Sequence, residues 1–118
     1  MRLLPTLSLI SLITSSGKAA EESPKPVSFY EEIRPIFQAN CVGCHQPSKN
    51  NGDYVMTDFQ RLLAGGEEAI AIVPGKPDES HLITEITPDS DGDAEMPKKD
   101  DPLHEVEIEL IRRWIQEG

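Results

Sequence analysis

Only two cysteines occur in the 118 residues, and they stand within one short stretch, Cys41-Val42-Gly43-Cys44-His45. That crowding removes the usual use of thiols in a small chain. A disulfide closing so short a loop restricts little chain entropy and cannot staple a fold. The pair must serve local chemistry, and the fold must be held by a core of its own.

Two residues between the cysteines set their thiols about one helical turn apart, and a histidine comes directly after. This is the C-x-x-C-H pattern of c-type haem attachment. The thiols can reach two vinyl groups as thioethers, and the imidazole of His45 is then carried beneath the iron, where a neutral ring nitrogen can ligate it. Gly43, lacking a β-carbon, would let the peptide lie close to a porphyrin. Other readings fit less well. A redox-active dithiol of the thioredoxin type belongs to βαβ units, and no strand-helix alternation is visible here. Structural zinc takes four ligands, and no second cysteine pair exists. A plain disulfide has no need of the adjacent histidine.

The first twenty residues differ from the rest of the chain. Arg2, the apolar stretch from Leu3 to Ile13 and the mainly small residues from 14 to 20 read as a secretory signal peptide over residues 1–20. The apolar stretch is shorter than the ~20 residues of a spanning helix and contains Pro5, so no stable membrane insertion is expected after cleavage. Export to the periplasm or another extracytoplasmic compartment is the expected consequence. Without Arg2 and Lys18 the chain keeps nine basic residues against 21 acidic ones, a formal charge of −12. Such a surface repels nucleic acid and anionic lipid and would speed encounter with basic redox partner proteins; it would equally serve solubility alone.

Residues 21–27, with Pro24 and Pro26, read as a flexible linker, and residues 28–118 as the folded domain. Ser28 with Glu31 forms a capping box ahead of a stripe of Phe29, Ile33, Ile36 and Phe37, which Pro35 must kink or divide into two short turns. Residues 46–53 read as loop, with Tyr54-Val55-Met56 briefly extended. A short helix then starts at Asp58 or Thr57, buries Phe59, Leu62 and Leu63, and stops at Gly65-Gly66. The next starts near Pro77 and runs through Leu82, Ile83 and Ile86 to Pro88. Residues 87–101 form a long acidic loop. The final helix carries Leu103, Val106, Leu110, Ile111, Trp114 and Ile115 at spacings of three and four, with Arg112 and Arg113 near the negative end of its dipole. The fold class is mostly α.

The chain resembles the planctomycete-type cytochrome c domain over about residues 28–117. The likeness is carried by Ile33-Arg34-Pro35-Ile36-Phe37 before the haem motif, then Leu62-Leu63-Ala64-Gly65-Gly66, residues 72–80 (Ile-Val-Pro-Gly-Lys-Pro-Asp-Glu-Ser), Met96-Pro97 and Ile111-Arg112-Arg113-Trp114-Ile115. It implies a small cytochrome c-like fold with haem held between crossing N- and C-terminal helices and loops, and a methionine, here Met96, as second axial ligand. The family commonly has leucine where Met56 and His81 stand. Its members often place this domain at the front of a longer exported protein, so the chain reads as a complete carrier or as the N-terminal haem module of a larger protein.

The position of Met96 agrees. It lies on the long loop, far enough after His45 for the chain to travel round a haem, and Pro97 restricts its backbone. Met56 is expected in the core beside Phe59, His81 and His104 on helices rather than on iron, and Trp114 in the core near the haem or against Phe37. Asp89, Asp91, Asp93 and Glu95 alternate as in calcium loops but lack the full pattern, and read with Lys98 and Lys99 as a solvated loop. One covalent haem c held by Cys41, Cys44, His45 and Met96 leaves iron with no open position, so the expected function is electron transfer, with no catalytic residue. The alternative is a haem enzyme, or a gas or peroxide sensor, with an open distal iron site.

Overall fold

The computed structural model describes residues 25–118; the expected signal peptide and the first part of the expected linker lie outside the described residues. Among the described residues four α-helices form the domain: α1 Arg34–Asn40, α2 Phe59–Ala64, α3 His81–Ile86 and α4 Glu105–Glu117. The sheet is a single antiparallel pair, β1 His45–Gln46 and β2 Lys49–Asn50, with His45 opposite Asn50. A mostly α domain is therefore correct, and the described residues contain no βαβ unit.

The N-terminal element is divided as Pro35 requires. One wide turn, Phe29–Ile33, runs into α1, where Pro35 sits in the first turn and its missing N–H removes a donor that would have had no partner inside the helix. Ser28 Oγ accepts from the Glu31 N–H at 3.3 Å, but the reciprocal bond to the Ser28 N–H comes from Glu32 at 2.7 Å rather than from Glu31. The wider turn brings the residue four positions on, not three, back over the cap. Packing also reaches back beyond Ser28: Val27 is buried, its N–H donates to Glu117 at 2.8 Å, and Arg113 donates to the Lys25 carbonyl at 2.6 Å.

Asp58 caps α2, its carboxylate accepting the Arg61 N–H at 2.9 Å. Gly65 ends the helix at φ +90°, and a β-carbon there would strike the Ala69 carbonyl, while one on Gly66 would strike that of Gly52. The close approach docks the turn Asn51–Asp53, just after β2, against the segment after α2, with the Glu67 N–H donating to the Gly52 carbonyl at 3.0 Å. The expected helix from Pro77 to Ile86 is broken. A tight turn, Pro77–Glu79, is separated from α3 by buried Ser80, whose hydroxyl accepts from the Val73 N–H and donates to the Lys76 carbonyl, both at 2.9 Å. Those bonds hold the chain in a turn that a continuous helix could not keep.

Ile33, Leu62, Ile86, Ile111 and Ile115 are among the most fully buried side chains, and with Ile36 and Phe37 of α1 they tie the N-terminal turn and all four helices into one core. Each contributes about 2–3 kcal/mol of transfer free energy. Two positions depart from expectation. Val106 is 76% exposed and Ile108 is buried in its place, because Ile108 lies three residues before Ile111 and shares its face of α4, whereas Val106, five before it, points away from that face. Phe59 is 43% exposed, as the first residue of α2, although its ring meets Phe29 at 5.0 Å. Trp114 packs as expected on Phe37, 6.4 Å between centroids, and closer still on Phe29 at 5.3 Å. These aromatic contacts join the N-terminal turn and α1 to α4.

Candidate functional site

The C-x-x-C-H segment continues from α1 without a break. The Cys41 and Val42 N–H groups both donate to the Phe37 carbonyl, at 2.8 and 3.0 Å, and those of Cys44 and His45 donate to the Cys41 carbonyl, each at 3.1 Å. The result is the single turn expected from the spacing. The two thiols are not joined: Cys41 is half-buried and Cys44 exposed. Burial, reinforced by the nearby Cys44, pushes the Cys41 thiol up to about 11. A thiol kept protonated at neutral pH is poorly suited to thiol–disulfide exchange, which proceeds through the thiolate.

His45 enters β1 and is fixed at three points. Its backbone pairs across the hairpin with Asn50, its carbonyl accepts the Met56 N–H at 2.9 Å, and its Nδ1 lies 3.0 Å from the Tyr54 carbonyl. A carbonyl only accepts, so that last contact places the ring proton on Nδ1 and leaves the Nε2 lone pair free. Metal-bound histidines are held in this way, the outer hydrogen bond fixing tautomer and ring direction and raising ligand basicity. Tyr54 is itself anchored, its hydroxyl donating to the Leu62 carbonyl at 2.7 Å and its ring 5.3 Å from that of His45. Burial, then the charge of Cys41, holds its phenol well above the usual tyrosine range, so it stays a neutral donor. That Tyr54 supplies the carbonyl partner of His45 had no sequence signal beyond its place after the loop residues.

A cavity of about 290 Å³ opens beside this turn, lined by Phe29, Phe37, Val42, Met56 and Phe59 together with polar residues that include Tyr30 and Arg34. Val42 of the motif thus faces an aromatic, sulfur-containing wall, which suits a flat apolar ring system. Met56 is buried beside Phe59 as expected. Neither His45 nor Met96 lines this cavity. Met96 lies on the loop after α3, half-buried against the core, its N–H donating to the Glu85 carbonyl at 2.8 Å. His104 is exposed at the start of α4, and His81 opens α3. In the acidic loop the Asp89 carboxylate is used locally, accepting the Asp91 and Asp93 N–H groups at 2.9 and 3.1 Å.

The donor set fits a covalently attached haem: two separate thiols on one turn and an imidazole whose free nitrogen is defined by its other bond. No helix among the described residues is long and apolar enough to cross a membrane. No curated protein and no solved structure matches the chain. A family model does, that of the planctomycete cytochrome C, over residues 41–100. Those residues run from the first cysteine through the hairpin, α2 and α3 to the loop beyond Met96, just over half of the chain, and the rest of the domain closes on them through the contacts of Phe29 and Trp114 with Phe59. The chain belongs to the planctomycete cytochrome C family.

Proposed function

We propose that the chain is an exported c-type cytochrome that carries one haem c, bound as thioethers through Cys41 and Cys44 with His45 and Met96 as axial ligands, and that transfers electrons between redox partner proteins. The observation that carries this reading is the 3.0 Å bond from His45 Nδ1 to the Tyr54 carbonyl, which leaves the Nε2 lone pair as a ligand. When bound, haem c supplies one-electron cycling between ferric and ferrous iron. The protein's part is to hold its ligands in place and keep water away. His45 is kept in one tautomer by a main-chain acceptor. A thioether from Met96 would favour ferrous iron relative to a second imidazole and so would raise the potential. Phe29, Phe37 and Met56 provide apolar cover on the side of Val42.

Export through residues 1–20 would deliver the chain to an extracytoplasmic compartment, as a free carrier or as the haem module of a larger protein. Its acidic surface would steer basic partner proteins at low salt and repel nucleic acid. The test is expression with the leader in a host that has haem-attachment machinery. After denaturation and extraction with acidic solvent the haem is expected to stay with the polypeptide, and the reduced protein is expected not to bind carbon monoxide rapidly. Haem leaving with the solvent would refute covalent attachment. Rapid carbon monoxide binding would point instead to an open iron and a sensor or enzyme.

A further inference from the structure

Glu68, His81 and Glu85 bring one ligand atom each into a group whose members all lie within 4.8 Å of one another. His81 Nε2 is 3.3 Å from Glu85 Oε1 and 3.5 Å from Glu68 Oε2. We infer that these three side chains form a second metal site, separate from the cysteine motif, for a divalent transition cation of the zinc type.

The backbone explains why they meet. His81 and Glu85 are four residues apart on α3 and share one face of that helix. Glu68 comes from the loop after α2, and that loop is tied down on both sides. The Glu67 N–H donates to the Gly52 carbonyl at 3.0 Å, and the His81 and Leu82 N–H groups donate to the Ile70 and Ala71 carbonyls at 3.2 and 3.0 Å. Two of the ligands therefore ride on a helix and the third on a loop pinned to the start of the same helix. His81 and Glu85 are half-buried, while Glu68 is exposed and free to swing.

Zinc bonds of about 2.0–2.2 Å to nitrogen and oxygen in tetrahedral geometry place ligand atoms roughly 3.4 Å apart. The two histidine–carboxylate separations already have that length, and rotation of Glu68 closes the third edge. One imidazole and two carboxylates match a borderline cation better than calcium or magnesium, which take oxygen ligands. Among the described residues, Glu68 and Glu85 make no ion pair with a lysine or arginine, so two carboxylates face a single imidazole. A divalent ion would balance them, with water in the fourth position.

The experiment is calorimetric titration of the untagged holoprotein with Zn²⁺, with haem content measured on the same samples. One equivalent is expected to bind saturably, to raise the thermal midpoint, and to leave the haem spectrum unchanged. His81→Ala and Glu85→Gln should each weaken binding at least about tenfold, since even outer partners of metal ligands count for 10–100-fold. Glu68→Gln should weaken it less. X-ray absorption at the zinc edge should show nitrogen and oxygen neighbours and no sulfur. Absence of saturable binding, binding that survives His81→Ala, a preference for calcium, or sulfur neighbours would each overturn the assignment. Because haem content is read independently, a failed zinc site and a failed haem site give different results.

Discussion

His45 and Met96, the two proposed axial ligands, are presented by very different pieces of chain. The histidine stands at the end of a hydrogen-bonded turn and the start of a hairpin, with its backbone paired, its carbonyl used by Met56 and its ring held by Tyr54. The methionine stands on a loop without regular structure, and the backbone bond holding it is one from its own N–H to the Glu85 carbonyl. One ligand is thus prepared by a network in which each bond supports the next. The other rests on partial burial and a short tether to α3. A ligand whose ring direction matters needs the first kind of support, whereas a thioether on three rotatable bonds can find iron from the second.

The largest effect expected from this contrast is at the attachment side. Replacing Cys41 and Cys44 together by serine should abolish covalent haem completely in the acidic-solvent extraction. Retained haem would mean that the turn is not the attachment point. Next comes the exchange of methionines. Met96→Ala should open the iron to carbon monoxide while haem stays attached, whereas Met56→Ala should keep the ligation and instead cost about 2–4 kcal/mol of stability as a buried core truncation. If only Met56→Ala opens the iron, or if neither variant does, the distal assignment is wrong.

Smaller changes sharpen the comparison. Tyr54→Phe removes the 2.7 Å bond to the Leu62 carbonyl and should cost about 1–2 kcal/mol in denaturant unfolding. It should hardly alter the iron spectrum, because His45 uses the main-chain carbonyl of Tyr54 and not its hydroxyl. On the distal side, Asp89→Ala removes two exposed bonds within the acidic loop. Water can replace them, so the change in stability should stay within about 0.5 kcal/mol. A loss as large as that of Tyr54→Phe would show that the loop is held far more firmly than its single tether to α3 suggests.

The acidic cluster around His81 bears on the same contrast. Its carboxylates look ordinary in the sequence, Glu68 standing thirteen positions before His81 and on a different element. Helical spacing makes His81 and Glu85 neighbours in advance, but only the docking of the loop after α2 brings in Glu68.

Local signals were readable where the interaction partners are close in sequence. The haem motif, the Asp58 cap, the stop at Gly65, the effect of Pro35 and the inward positions Ile111 and Ile115 all concern residues within a turn or two, where backbone geometry leaves few choices. The family likeness added Met96, whose place on a long loop the spacing alone only permitted. Legibility failed wherever a distant group decided the outcome. Val106 and Ile108 exchanged roles because the face of α4 that carries Ile111 packs inward and Ile108, not Val106, shares that face. The short hairpin that carries His45 formed from residues with loop composition because Asn51, Tyr54 and Met56 find partners in the cysteine turn, the loop and β1. By itself, then, the sequence determined that two thiols and an imidazole stand together within about one turn, since that depends on covalent spacing. Which carbonyl orients His45, that Glu68 joins Glu85 at His81 and that Ile108 rather than Val106 is buried at the start of α4 were decided only by the tertiary structure, because each needs two separate segments to pack before the hydrogen bond or contact can form.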